Sequence, residues 1–259
     1  MPYAILQKTL QPPSVDQLTK AFRSLPDLTA SDAAIIAKDA FGILVGSLSF
    51  EQAETLSAAL IAQGVDNEVV DEQHLFTLPP FKKLRQADCL PDHLLLYDPL
   101  DRPQNIDWSH VIVVAAGSVS LTEFKRTERQ RVHYHMTPTG FGGLGLYPYA
   151  DRTVSTKEEQ QSRLILEIYL DINPIRSHAD SREFRYNYLG PRLLSGSAKN
   201  FSLLVTDLAK YATKASLNRG AQTISQDPTK TFSYPSRHAF EEEIIWLLWK
   251  GGYQLKSQT

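Results

Sequence analysis

A few short stretches carry residue types at spacings that can do chemistry. Arg131-Val132-His133-Tyr134-His135-Met136 alternates, and on a strand His133 and His135 share one face with Arg131. Two imidazoles at i and i+2 can ligate one metal ion, so the pair is the candidate metal site of a metal-dependent enzyme. Zinc takes three or four ligands, and His110, His178 and His238 are scattered, with no second cluster at ligand spacing. Arg131 beside the pair disfavours a cation, and a solvated His face is the competing reading. Just upstream, "EFKRTERQR" places Lys125, Arg126, Arg129 and Arg131 in one loop or hairpin, partly offset by Glu123 and Glu128. These four cations are the candidate anion-binding residues for a phosphate or a lipid head group. The competing reading is an exposed polar hairpin.

Gly140-Phe141-Gly142-Gly143-Leu144-Gly145 spells G-x-G-x-x-G. A dinucleotide fingerprint needs a strand running into a helix, whose N-terminus holds the pyrophosphate. Leu146-Tyr147-Pro148-Tyr149 follows instead, which makes a poor helix, so no nucleotide is expected. The single cysteine, Cys89, has no disulfide partner in the chain and reads as a partly buried structural thiol. Ser195-Gly196-Ser197 lacks the surroundings of a nucleophile; Ser197 reads as a helix cap. Phe184, Tyr186 and Tyr188 alternate on an expected strand, flanked by Arg182, Arg185 and Arg192. Cross-strand packing is the simpler role for such aromatics, and nucleic acid is not an expected partner. No cofactor is expected, and no catalytic constellation stands out.

The elements that must position these residues fall into two textures. The first 75 residues hold 4 Lys and Arg against 10 Asp and Glu, and the remainder 23 against 19, for a net charge of -2. That balance gives no global case for nucleic acid or an anionic membrane. Apolar runs fall far short of the roughly 20 residues a membrane span needs. The N-terminus does not read as a signal peptide, and the expected location is the cytoplasm.

Residues 1–78 read β-α-α-β-α-β: a strand at Tyr3–Leu6, a helix opened by the Ser14/Gln17 capping box with Val15, Leu18, Phe22 and Leu25 recurring at helical spacing, and a helix from Thr29 or Ser31. A strand at Ile43–Val45, a helix opened by Ser49/Gln52, a left-handed Gly64 and a strand at Glu68–Val70 complete it. After Pro79-Pro80 the chain, 81–259, reads as strands at Lys83–Cys89, Leu94–Tyr97 and Val111–Ala115, with a turn at 98–103 between the last two. Residues 121–162 read as a long excursion between strands. Leu164–Asp171 alternates as a strand with one buried face. Helices are expected from Ser197 and over Ser236–Trp249, the latter with Glu241, Glu242 and Glu243 serving its first turn. The expected fold class is α+β: a small sandwich, then an antiparallel sheet or barrel closed by a helix.

The stretch "SVDQLTKAFRSLPDLTASDAAIIAKDAFGILVGSLSFEQAETLSAALIAQGVDNEVV" resembles the C-terminal domain of the bacterial ribosomal stalk protein. That likeness implies the fold of residues 1–78. The family's factor-binding role is not carried over, because "PDLTASDAAIIAKDA" lacks the glycine pair and most of the basic residues. The pattern "HLLLYDPLDRPQNIDWSHVIVVAAGSV", with "EFRYNYLG" and "NFSLLVTDLAKYA", resembles the pleckstrin-homology-like domains of uncharacterised bacterial proteins. Both scaffolds commonly present interaction surfaces, which points by analogy to a non-catalytic binding or regulatory protein with a protein partner. The alternatives are an anion or phospholipid-head-group binder through 125–131, and a metal-dependent enzyme using His133 and His135.

Overall fold

The computed structural model describes residues 1–39, 41–138, 144–172 and 175–253; for 38–39 and 121–160 the description is of the backbone alone. Two compact units result, Met1–Val119 with Arg163–Thr259, and Ser120–Ser162. The fold class is mixed α and β.

In the first unit, β1 (Tyr3–Gln7) leads through Pro12-Pro13 to α1 (Val15–Phe22). Ser14 caps α1 by accepting from the Gln17 backbone N–H, while the Gln17 side chain accepts from the Ser14 N–H at 2.9 Å. Then come α2 (Ala30–Asp39), β2 (Ile43–Leu48), α3 (Phe50–Ala62) with the same reciprocal cap from Ser49 and Gln52, and β3 (Asn67–Asp71). The strands form an antiparallel sheet in the order β2-β1-β3. Leu18, Phe22, Leu56 and Leu60 seal its core, whereas Val15, expected on the core face, stands out in solvent at the first helical turn.

Next follow β4 (Lys82–Lys83), β5 (Ala87–Cys89), β6 (His93–Tyr97) and β7 (Pro103–Asp107). The single strand expected over Lys83–Cys89 is therefore two short ones in different sheets. The turn at 98–103 leads into β7, whose exposed, polar sequence gave no strand signal. β5, β6 and β7 make an antiparallel sheet of their own.

β8 (Val111–Pro138) and β9 (Leu144–Leu170) are neighbours in the largest sheet, ordered β11-β8-β9-β10-β4. A connection this short leaves room only for antiparallel pairing. β10 (Ile175–Asp180) pairs antiparallel with β9. β4, β11 (Ser216–Leu217) and β12 (Ser233–Tyr234) join in parallel, so the sheet is mixed where a purely antiparallel one was expected. The excursion expected over 121–162 is the continuation of β8 and β9 around the segment 139–143.

The helices are α4 (Ser197–Tyr211), α5 (Arg219–Gln226) and α6 (Arg237–Lys250). Phe201, Leu204, Val205 and Leu208 of α4 share one core with Leu166, Ile168 and Leu170 of β9. Gly196, at φ 102, stands at the N-cap of α4 with no side-chain bond, so Ser197 is the first helical residue rather than its cap. Asn218 caps the unforeseen α5 and Ser236 caps α6. The strand expected over Phe184–Tyr188 is a single bridge residue, Arg185, paired with Gln86, between a turn at 181–183 and a short 3-10 segment, Asn187–Arg192. Phe184 and Tyr186 are nonetheless buried, and Tyr186 donates to the Ser181 carbonyl at 3.0 Å.

The terminal helix ties the chain ends together. Trp246 is buried and its Nε1–H donates to the Gln7 carbonyl at 2.6 Å. Gly42, at φ 107, lets the chain pass beneath that indole, and an added Cβ would lie 2.6 Å from Trp246 Cβ. Gly42→Ala combines left-handed strain with overpacking, so we expect it to cost about 2–3 kcal/mol. Urea unfolding monitored by tryptophan fluorescence measures this, and an unchanged midpoint would contradict the packing described.

Candidate functional site

The densest convergence of titratable groups among the described residues is on β9 and β10. Ile165–Leu170 is buried on both faces, not one. Leu166, Ile168 and Leu170 enter the α4 core, and Glu167 on the opposite face has no exposed surface. Antiparallel register sets His178 opposite Glu167 and Arg176 opposite Tyr169. From there Arg176 grips both carboxylate oxygens, Nε to Oε2 at 2.9 Å and Nη2 to Oε1 at 3.1 Å. Tyr169 donates its hydroxyl to Oε2 at 2.9 Å, and His178 Nδ1 lies 3.2 Å from Oε1. The helix α6 adds Arg237, which also bonds Glu167 Oε1, and Glu241, which accepts from Arg176 and Arg237. Arg176 reaches the Pro79 carbonyl at 3.4 Å. The Phe81 ring covers the cluster, 5.5 Å from each guanidinium carbon and 4.6 Å from the His178 ring centroid.

Two guanidiniums against two carboxylates make this cluster close to neutral without the imidazole. Burial alone would raise the Glu167 carboxyl pKa, but His178, Arg237 and Arg176 outweigh it and hold the group at about 2. A carboxylate so firmly ionised is a poor general base near neutral pH, where catalysis favours a pKa close to the working pH. Burial, then the Glu167 charge, drives the Tyr169 hydroxyl up and out of reach of ionisation. The arrangement is chemically suited to clamping β9, β10, α6 and the 79–81 segment together.

A second cluster follows the same logic. Glu243 of α6, fully buried, accepts from the Tyr234 hydroxyl at 2.7 Å, the Arg219 N–H at 2.7 Å and Arg219 Nε at 3.3 Å. Phe41 lies 4.3 Å from the Arg219 guanidinium carbon and Phe232 5.1 Å. Asn218 bonds Ala116 in both directions and donates to Tyr234 at 2.8 Å. Thus Glu243 serves a buried ion pair and Glu241 partly buried ones, where an electrostatic role in the first helical turn was expected. In a third cluster, Asp207 pairs with Arg192 at 2.7 Å and accepts from Tyr188 at 3.0 Å.

The residues singled out from sequence are placed as follows. Lys125, Arg126, Arg129, Arg131, His133 and His135 belong to the backbone of β8, and their side chains lie outside the described residues. Of the glycine run, 140–143 lies outside them and Gly145 is in β9. His110 meets Asp171 at 2.7 Å, and exposed His238 meets Glu242. Cys89 is buried, which pushes its thiol pKa up. Among the described residues, no three His, Cys, Asp or Glu side chains group as a metal site. Sequence reasoning missed Glu167, Arg176, Arg237 and Tyr169. The available signal was a charged residue in the middle of the apolar run "LILEIYL".

Because the folded Glu167 pKa lies below its ordinary 4.5, its stabilisation is present above that value and is lost as pH falls towards 2. Glu167→Gln leaves two guanidiniums sharing one carboxylate, Glu241, so we expect a loss of about 3–5 kcal/mol at pH 7. Between pH 6 and pH 2 the parent should lose roughly 3 kcal/mol more than the variant. Urea titrations across that range read both quantities; parallel acid profiles would contradict the role assigned to Glu167.

Among the described residues, no helix is long and apolar enough to cross a membrane. Comparison with protein-family models, curated proteins and solved structures returns no match to this chain.

Proposed function

We propose that the chain is a non-catalytic binding or regulatory protein of the cytoplasm that offers the unit Ser120–Ser162 to a protein partner. The observation that carries this reading is the backbone of that unit. It consists of residues 120–138 of β8 and 144–162 of β9, a two-stranded ribbon. Among the described ladders, the other partners of these strands meet them at Val113–Val114, Ser118–Val119 and Ile165–Leu170. A lone two-stranded ribbon is marginal in water, and its unpaired edges are templates for further pairing. A binding surface is the economical reason to keep one.

The buried clusters support the same reading, because their acids and bases are engaged with one another. The likenesses to the stalk-protein domain and to pleckstrin-homology-like domains add an analogy of fold, since both scaffolds present interaction surfaces. A second reading has a specific sequence observation behind it. Lys125, Arg126, Arg129 and Arg131 stand within one short stretch of β8, and an anionic head group or phosphate is the ligand they suit.

Joining Ser120 to Ser162 through an Asn-Gly hairpin removes the ribbon and leaves the rest of the chain intact. We expect the shortened protein to keep its unfolding midpoint and a cooperative transition, and to lose a specific protein that the full chain retains from its native cells. Identical recovery by both forms, or turnover of a substrate panel by the purified protein, would contradict the proposal. Flotation of the full chain, but not of the shortened one, with anionic liposomes would favour the second reading.

A further inference from the structure

We propose that an open groove of about 570 Å³, bordered by β4 and by the turns after β6 and β10, binds a small oxyanion ligand of two or more charges, anchored by Arg85. Three cations line it, Lys83, Arg85 and Arg185, with Asp98, Asp101 and Glu183. Backbone pairing fixes the cations. Lys83 and Arg85 flank buried Leu84, whose N–H donates to the His178 carbonyl at 2.7 Å, so both are turned outward. Arg185 sits between buried Phe184 and Tyr186, and its N–H donates to the Arg85 carbonyl at 2.7 Å.

The acids are engaged to different degrees. Asp98 is consumed by its own turn, accepting from the Leu100 and Arg102 N–H groups and from Arg102 Nε. Glu183 pairs with Lys83, and Asp101 with Arg185. Both of these pairs are about half exposed, and exposed pairs contribute little stability. Asp101 is held at φ 57, in the left-handed region, with its carboxylate on Arg185. Arg85 has no ion pair or side-chain hydrogen bond among the described residues. The groove therefore carries one uncompensated guanidinium and two cations whose counter-ions are easily exchanged. A guanidinium fork matches a phosphoryl or carboxylate group through paired N–H donors. An entering oxyanion takes the Arg85 fork and displaces Asp101 from Arg185.

Calorimetric titration of the full chain with pyrophosphate and with citrate, at constant ionic strength, tests this. We expect saturable one-to-one binding of at least one probe, and whichever binds identifies the ligand as phosphoryl or polycarboxylate. Arg85→Ala should weaken it about tenfold or more. Asp101→Asn should tighten it, because the competing carboxylate is gone, and Arg182→Gln on the neighbouring exposed turn should leave it unchanged. Arg85 is exposed, so its variant should keep the parental unfolding midpoint. No saturation by either probe up to about 10 mM, or equal affinity of the parent and Arg85→Ala, would overturn the proposal.

Discussion

A carboxylate without exposed surface must be compensated where it stands, and Glu167 is compensated from several directions at once. Arg176 and His178 come from the adjoining strand, Arg237 from the terminal helix and Tyr169 from its own strand. Leaving such a charge unpaired costs several kcal/mol. The β9–β10 register, the seat of α6 and the path of the chain through Pro79 are therefore coupled. A one-residue slip between β9 and β10 would carry Arg176 and His178 to the wrong face. Phe81 keeps water from the cluster although its own ring is half exposed.

The same helix carries the second constraint. Glu243 binds Arg219 and Tyr234, and Trp246 binds the carbonyl of Gln7 near the opposite end of the chain. One face of α6 thus reaches the early sheet while its carboxylates reach the later one. These charged groups are committed to holding elements together. That is a different use of acids and bases from a catalytic site, where pKa values are tuned towards the working pH. The proposed binding surfaces, the ribbon and the charged groove, draw on other residues.

Local signals in the sequence were legible where local chemistry decides the structure. The order of the first six elements, both capping boxes, the left-handed Gly64 and the buried positions of α4 and α6 follow from spacing alone. Features set by distant neighbours were not legible. Alternation in "LILEIYL" reveals a strand but not whether one face or two are covered, so a single buried face was expected. The pattern at Phe184–Tyr188 has strand period, yet a turn at 181–183 and Gly190-Pro191 bend it into a tight corner. The ribbon escaped because its sequence, rich in Gly, Thr and charged residues, reads as loop. The groove escaped because Arg85, Asp101 and Arg185 meet only after three separate segments have paired.

The central claim is that Glu167 is a permanent structural charge and not a group that exchanges protons during work. Carbon-13 NMR titration of its side-chain carboxyl, with Glu167→Gln supplying the assignment, measures this at the atom concerned. A midpoint near 2, reached only as the fold begins to fail in acid, is the result the structure predicts. A midpoint at or above the ordinary 4.5 in the folded protein would contradict it.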